Sequence, residues 1–428
     1  MSHIFSAGSL AVRALFFMSI RPFSPSSTQV ADRIQYVTNT ASAIDALQVQ
    51  WYNDVDGLWN STGWWNSANL LTTLADFALD AASDADKMKL ATVLANTFAN
   101  AQRVPQTAAK VVDAAGLVKS TYTKIKAPLT FDMTGNLSTR SEFNGFYGFI
   151  NAYYDDEGWW ALAWIRAFDV TGTAAYLAMA ESIFADMQTG TQPAACGGGI
   201  WWSKDRTYKN AIANELYLAV AASLANRATT ADARTQYLNI AASQWAWFKS
   251  SGMINRHGTI NDGLTIRADG SCVNNRQTVW SYNQGVVLGA LVELYRAQVK
   301  NGTPDAKLIP AAAAIANAAI TKLSTAGILH ESCEAGGGNC GGDGPTFKGV
   351  FLRSLRHLQQ EPTLDAATAS AFKTYILQNA DSIWNTDRVA GTNQLGLVWS
   401  GPPMAGGAPT AATHGSAMDC LVAAIAAA

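Results

Sequence analysis

Eight consecutive residues, Tyr153-Tyr154-Asp155-Asp156-Glu157-Gly158-Trp159-Trp160, carry the densest chemistry in the chain. Three acids stand between two aromatic pairs, at the start of a segment whose Trp160, Ala163, Trp164, Ala167 and Phe168 recur at helical spacing. One acid at a helix start is explained by capping of free N–H groups and by the helix dipole. Three acids clasped by four aromatics exceed what capping needs. Two neighbouring carboxyls suit cleavage of a bond between sugars, which takes groups about 5–5.5 Å apart for retention or roughly 6.5–9.5 Å for inversion. Adjacent helical residues splay by about 100°, so two short Asp side chains fit the smaller separation. One then stays ionised and attacks, while its neighbour keeps a proton through burial and like-charge repulsion. The aromatic rings supply stacking faces for sugar rings and lower the local dielectric.

Other residues are candidates for holding such a ligand. Tyr154 and Trp159 flank the acids. Trp201 and Trp202 follow a glycine run that lets backbone approach a ligand, and at least one is expected to line the cleft. Asp262 (in NDGL) and Asp343 (in GGDG) sit in long loops, where each either binds sugar hydroxyls or makes an Asx turn beside Gly. Tyr282 and Asn283 precede a helix, so Asn283 is either a ligand contact or a cap. Lys348 either binds a sugar or balances the acids. A metal set of His330, Cys333, Cys340 and Asp343 lacks a CxxC pair, and no metal is expected. His257, His330, His357 and His414 match no nucleophile–base pattern, and neither a P-loop nor a dinucleotide fingerprint occurs. No cofactor is expected.

Composition agrees with a neutral ligand. The 428 residues hold 30 Lys and Arg against 32 Asp and Glu, a net charge of −2 that disfavours nucleic acid. Charged residues reach 14%, against about 25% in an average soluble protein. With 49% hydrophobic residues and a mean hydropathy of +0.03, a large core can form. Fourteen Trp, 13 Tyr and 16 Phe on so weakly charged a chain suit a polyhydroxylated partner, although core packing also uses aromatics. No run of about 20 uncharged apolar residues appears, so no ordinary membrane span is expected.

The five cysteines bear on the compartment. Cys333 and Cys340 bracket a Gly-rich loop that can close on itself, and Cys196 and Cys272 lie in two polar or Gly-rich loops. Disulfides Cys333–Cys340 and Cys196–Cys272 are expected, with Cys420 packed as a small buried hydrophobe in an Ala-rich run. Asn60, Asn136 and Asn301 open glycosylation sequons. Ala14–Ile20 is a short apolar run preceded by Arg13, either a weak secretory signal or part of an N-terminal extension, residues 1–28. The last eight residues follow no polar spacer, so a GPI-anchor signal is not expected. A secreted monomer is the expectation.

The elements that must position these residues are helices. Apolar periodicity and abundant Ala predict helices at about 30–52, 66–81, 85–102, 106–120, 157–170, 173–188, 207–226, 231–250, 279–300, 305–325, 346–359, 365–384 and 412–426. Short links alternate with long loops rich in Gly, Asn, Asp and Trp, and no Pro/Ser linker divides the chain. Alternating links imply helical hairpins with every long loop at one end. An all-α (α/α)6 toroid of six hairpins over residues 29–428 fits the count, whereas a solenoid would show a fixed sequence period. The long-loop end is where a site is expected.

Tyr153–Trp160 followed by Ala161-Leu162-Ala163-Trp164 resembles the signature of glycoside hydrolase family 76, the fungal endo-α-1,6-mannanase family. The segments Cys196–Trp202 (CGGGIWW), Tyr208–Leu216 (YKNAIANEL), Trp280–Gly285 (WSYNQG) and Phe347–Phe351 (FKGVF) extend the resemblance in order, over about residues 30–428. It implies an (α/α)6 barrel, retention of configuration and an adjacent Asp pair, with Asp155 as nucleophile and Asp156 as general acid/base. It also implies α-1,6-mannan or a mannooligosaccharide as substrate. Two other readings stand beside hydrolysis. One is a cell-wall transglycosidase of the same fold acting on mannan or a GPI-linked glycan; the other is a mannan-binding protein without turnover.

Overall fold

Alanine-rich segments fold into twelve α-helices among the residues that the computed structural model describes, 27–81, 84–112, 117–125, 145–335 and 340–428. In chain order they are α1 (Ser27–Trp51), α2 (Trp64–Asp80), α3 (Asp84–Asn100), α4 (Tyr154–Thr171), α5 (Ala174–Gln188) and α6 (Ala211–Arg227). Then follow α7 (Ala231–Ser250), α8 (Ser281–Lys300), α9 (Leu308–Leu323), α10 (Phe347–Gln359), α11 (Ala366–Ser382) and α12 (Ala411–Ala427). Polar residues set several starts: the side chains of Asn210, Thr230, Asp365 and Thr410 each accept a backbone N–H from three residues on. The expected N-terminal extension lies almost wholly outside the described residues.

Burial separates the helices into two rings. The even-numbered helices are buried almost all round; in α6, every residue from Ala211 to Ala225 is buried. The odd-numbered helices bury one stripe, as α7 does with Leu238, Ala241, Trp245 and Phe248. Contacts run α2–α4–α6–α8–α10–α12 and back to α2, so the inner ring closes. The result is an (α/α)6 barrel. Glycines let the inner helices approach: a Cβ on Gly285 would lie 2.6 Å from the Phe351 Cα, and one on Gly349 would lie 2.5 Å from the Ser416 carbonyl oxygen.

Because each hairpin turns back on itself, all six inner helices run parallel. Their N-termini gather at the end where the long connections lie, among them 189–210, 251–280, 324–346 and 383–410. Short links such as 172–173 and 228–230 occupy the other end. Among the described residues, four two-stranded antiparallel sheets decorate the long loops: β1 (Tyr52–Asn53) with β2 (Leu58–Trp59), β3 (Gln106–Val112) with β4 (Val118–Lys124), β5 (Leu264–Ile266) with β6 (Cys272–Asn274), and β7 (Ser324–Thr325) with β8 (Ile328–Leu329). The expected helix at 106–120 is therefore a strand pair. Its β-branched Thr107, Val111, Val112, Val118, Thr121 and Thr123 favour pleated backbone, and inward and outward residues alternate along both strands.

Both expected disulfides form, Cys196–Cys272 and Cys333–Cys340, and Cys420 is free and buried. They tie together loops of the N-terminal end. The opposite end, where helix dipoles are negative, is held by buried guanidinium groups. Asp76 accepts from Arg166 Nε at 2.7 Å and lies 3.2 Å from Arg356, while Asp169 bridges Arg166 and Arg227. Burial alone would push the Asp76 carboxyl up; Arg166 and Arg356 outweigh it and hold the group well below the usual carboxylate range. A depressed carboxyl adds stability above its unfolded pKa and loses it as pH falls. Asp76→Ala is accordingly expected to lower unfolding free energy by about 3 kcal/mol at pH 7, since Arg166 and Arg356 each lose a buried partner and keep only Asp169 and Asp80. Urea unfolding measures this, and the deficit should shrink once pH drops below about 4.

Candidate active site

The first turn of α4 divides its three acids between two tasks. Tyr153 precedes the helix in extended conformation and caps nothing with its side chain. Glu157 does the local work: its Oε1 accepts the Asn151 backbone N–H at 3.2 Å and pairs with Lys204 Nζ at 2.9 Å. Asp155 and Asp156 face the β3–β4 hairpin instead. Lys110 Nζ lies 2.9 Å from Asp155 Oδ2 and also donates to Asp156 Oδ1. Asp156 Oδ2 accepts from Tyr122 Oη at 2.7 Å and from Asn151 Nδ2 at 2.6 Å. Asp155 Oδ1 is buried with no hydrogen-bond partner.

These surroundings tune the titrations. Burial raises the Asp156 carboxyl to about 6, with Lys110 pulling it down and Asp155 pushing it up. Burial would lower Lys110, but Asp155 and Asp156 override it and raise the ammonium, which stays charged. Asp262 is raised to about 6 by burial, opposed by the hydroxyl of Tyr208 and reinforced by the charge of Asp155. Glu215, in the first turns of α6, is fully buried with both carboxyl oxygens unpartnered. Burial pushes it well above the usual carboxylate range, reinforced by the charge of Asp262. The positive ends of six helix dipoles add to the support for the ionised acids.

The structure gathers some of the expected residues around the aspartates and sends others elsewhere. Tyr282, in the first turn of α8, stacks on Phe347 at 3.8 Å between centroids and lies in the field of Asp155, Asp262, Asp343 and Glu215. Asn283 beside it caps no helix end; both its amide atoms are buried and unpartnered. Asp262 accepts from Tyr208 Oη at 2.5 Å and keeps a buried, unpartnered Oδ1. Trp202 lies at the mouth, 5.3 Å from the Tyr153 ring and with Lys110 Nζ 5.8 Å from its own.

Asp343 accepts from Trp65 Nε1 at 2.8 Å and from the Ser120 N–H and hydroxyl, so it fastens the hairpin to α2. Trp201 turns away, donating to Gln192 under the ammonium of Lys209. Tyr154 packs against Gly190 and bonds Thr189, on the side of α5. Trp159 is buried against Trp65 and lines an internal cavity between the inner helices. The glycine run at 197–199 serves Trp247 rather than a ligand, since a Cβ on Gly199 would lie 2.3 Å from its ring. Lys348 is buried against Glu334 at 2.8 Å, balancing that acid and not the aspartate pair. Cys333 and Cys340 are bonded to each other, so they offer no thiolate to a metal.

Lys110, Tyr122, Asn151, Tyr208 and Glu215 are the site residues that sequence reasoning missed. Lys110 and Tyr122 fall in the segment read as helix, where the alternation of β-branched residues was the available signal. Glu215 and Tyr208 lie inside a recognised motif, but nothing in their spacing shows that both come close to Asp262.

An (α/α)6 barrel with a buried carboxyl pair where its inner helices begin is the architecture in hand. The chain belongs to glycosyl hydrolase family 76, whose profile matches residues 119–427. Among curated relatives, it is 31% identical over 214 residues to the mannan endo-1,6-alpha-mannosidase DFG5 of Saccharomyces cerevisiae, covering 47% of this chain and 44% of the relative. It is 28% identical over 216 residues to the mannan endo-1,6-alpha-mannosidase DCW1 of Candida albicans, covering 47% of this chain and 46% of the relative. The match thus spans about half the length of these relatives. Among solved structures, an inactive variant of an α-1,6-mannanase from Salegentibacter, with two neighbouring aspartates replaced by asparagine and α-1,6-mannotriose bound, superposes with TM-score 0.71 at 18% identity, over 92% of this chain and 100% of that one. Dfg5 from Chaetomium thermophilum, in complex with glucosamine, gives TM-score 0.66 at 15% identity over 95% and 92%. These structural likenesses bear on the fold.

Replacing Tyr122 by Phe removes a donor to the ionised form of Asp156 and should raise its pKa above about 6. Titration followed by carboxyl carbon NMR would show the upward shift; an unchanged value would mean that the hydroxyl does not bear on Asp156.

Proposed function

We propose that the chain is a retaining endo-acting glycoside hydrolase that cuts α-1,6-mannosidic bonds in mannan, with Asp155 as nucleophile and Asp156 as general acid/base. The observation that carries this is the pair of adjacent buried carboxyls in α4, neither of them used to cap the helix, in a family 76 chain. The structural neighbour made inactive by replacing two neighbouring aspartates supports the same pair. The Asp155 carboxylate attacks the anomeric carbon as Asp156 passes its proton to the departing oxygen, leaving a glycosyl ester on Asp155. Asp156 then takes a proton from water, whose oxygen displaces Asp155 and restores the anomeric configuration.

Asn283, Asp262 Oδ1 and Glu215 carry buried polar atoms that sugar hydroxyls would satisfy. Tyr282, Trp202 and Asp343 complete the wall, and no metal or cofactor enters the reaction. Two disulfides, and exposed Asn60 and Asn301 in their sequons, support an oxidising, extracellular setting; Asn136 lies outside the described residues. No described helix is long and apolar enough to cross a membrane. We take residues 29–428 as one catalytic domain acting as a monomer.

Unbranched α-1,6-mannan with chromatography of the products tests the reading. Shorter oligosaccharides with the α-anomer formed first are expected. Products longer than an added oligosaccharide would assign the second step to a sugar hydroxyl in place of water, and no product at all would leave a binding protein. Asp155→Asn should lose activity on both mannan and mannosyl fluoride. Asp156→Asn should lose mannan cleavage by about 1000-fold or more, roughly 4 kcal/mol, yet still react with the fluoride, which needs no acid. Activity also has a pH signature. Asp156 must be protonated in the free enzyme, so kcat/KM should fall as pH rises through about 6, and a flat profile from 5 to 8 would count against its acid role.

A further inference from the structure

Lys110 stands where the reacting sugar must go. Its side chain is 1% exposed, its ammonium bonds both Asp155 and Asp156, and its backbone N–H donates to the Tyr153 hydroxyl at 2.9 Å. With the lysine in place the Asp155 and Asp156 side chains are only 10% and 0% exposed. This arrangement does not perform the proposed chemistry. Asp155 Oδ2 is engaged by a cation, and Asp156 accepts from Lys110 on one oxygen and from Tyr122 and Asn151 on the other. Three donors favour the ionised form of Asp156, and Lys110 bonds the oxygen with a lone pair left for the proton it must deliver.

The element carrying Lys110 is attached unlike the barrel helices. Thr107, Ala109 and Val111 on β3, and Lys119, Thr121 and Thr123 on β4, are exposed. The inner face meets the mouth through polar contacts, those of Lys110, of Tyr122 with Asp156 and of Ser120 with Asp343, and through Leu117 and Val118 in the core with Ala108, Val112 and the Tyr122 ring packed against it. A two-stranded hairpin has little stability of its own, so it depends on the contacts of its inner face. The family profile begins at residue 119, so β3 and its lysine lie ahead of the matched part.

We propose that the β3–β4 hairpin is a lid over the aspartate pair and that Lys110 is its latch, displaced when a sugar chain enters. Displacement removes the cation from both carboxylates, frees Asp155 to attack and favours the protonated form of Asp156. A mannan chain supplies hydroxyls, not a charge, in exchange. The inference rests on the glycosidase reading of the pair, and the test separates the two.

In the full chain, Lys110→Met keeps the apolar stem and removes the ammonium. Backbone amides of β3 and β4 should then exchange hydrogen faster without ligand. α-1,6-Mannotetraose, followed by tryptophan fluorescence in stopped flow, should associate faster and bind about tenfold tighter, since a closed resting state reduces apparent affinity by the fraction open. Lys110→Arg, which keeps a cation, should restore slow exchange. In the unsubstituted protein, brief exchange pulses at saturating mannotetraose should show faster exchange of the hairpin amides. Unchanged exchange in Lys110→Met with an unchanged association rate and a lower kcat would overturn the latch and make the lysine a fixed part of the machinery. Slower hairpin exchange on adding mannotetraose to the unsubstituted protein would overturn it as well, even if the Met variant does not fold. Faster exchange in the Met variant with no mannotetraose binding by either protein would uphold the latch and sink the mannan reading.

Discussion

Closure of six parallel helices into an inner ring is the constraint from which the rest follows. It brings six positive helix ends to one mouth and six negative ends to the other, both largely shut off from water. Buried charge is tolerated only where a dipole or a partner compensates it. Carboxyls accordingly collect at the N-terminal mouth, as Asp155, Asp156, Glu215, Asp262 and Asp343. Guanidiniums collect at the far end, as Arg166, Arg353 and Arg356, with Asp76 and Asp419 between them. One end of the barrel is built to hold the ring together; the other concentrates acids that are not all satisfied.

Unpartnered polar atoms occur in the scaffold too, Asp76 Oδ2 and Arg356 Nε among them, but at the mouth they fall on several groups around Asp155 and Asp262. Asp76 is surrounded by cations and held ionised. Both oxygens of Glu215 and one of Asp155 have no partner, and the Asn283 amide and Asp262 Oδ1 make no well-formed hydrogen bond although Asn283 lies near enough to favour the ionised Asp262. An unpartnered buried polar group costs about 1–3 kcal/mol, and a fold does not accumulate several in one place for stability. Ligand hydroxyls would satisfy them. The three acids of α4 show the division within a single turn, since Glu157 secures the chain before the helix and leaves the two aspartates for other work.

Loops make the mouth, and each is held by a specific device. Lys209 donates to the carbonyls of Gln192, Ala195, Gly198 and Gly199, gathering one loop around a single ammonium. The Cys196–Cys272 disulfide joins that loop to the β5–β6 hairpin. Asp343 links the loop closed by Cys333–Cys340 to Trp65 and to β4. The hairpin over the aspartates is held by ion pairs and hydrogen bonds to the groups it covers and by Leu117 and Val118 in the core.

How much of this was legible in the sequence depends on whether the information is local. Helix periodicity, alanine content and the alternation of short and long links are local, and they determined the ring of hairpins and the end at which the long loops lie. The aspartate pair was legible because adjacent residues stay adjacent in any fold. Local cysteine spacing in a Gly-rich loop likewise determined Cys333–Cys340. Facing relations across the ring are not local. Only the closed barrel decided that Tyr282 lies in the field of Asp155 and Glu215 in that of Asp262 while Tyr154 and Trp201 turn outward, because helix rotation and loop packing choose the direction of each side chain. Gly198 and Gly199 looked like room for a ligand and proved to be room for Trp247, a residue about fifty positions away. The strand pair at 106–124 escaped for the same reason. Its Ala and Lys residues suit a helix, and the contacts that favour strands, Lys110 on the aspartates and Ser120 on Asp343, exist only once the barrel mouth has formed beneath it.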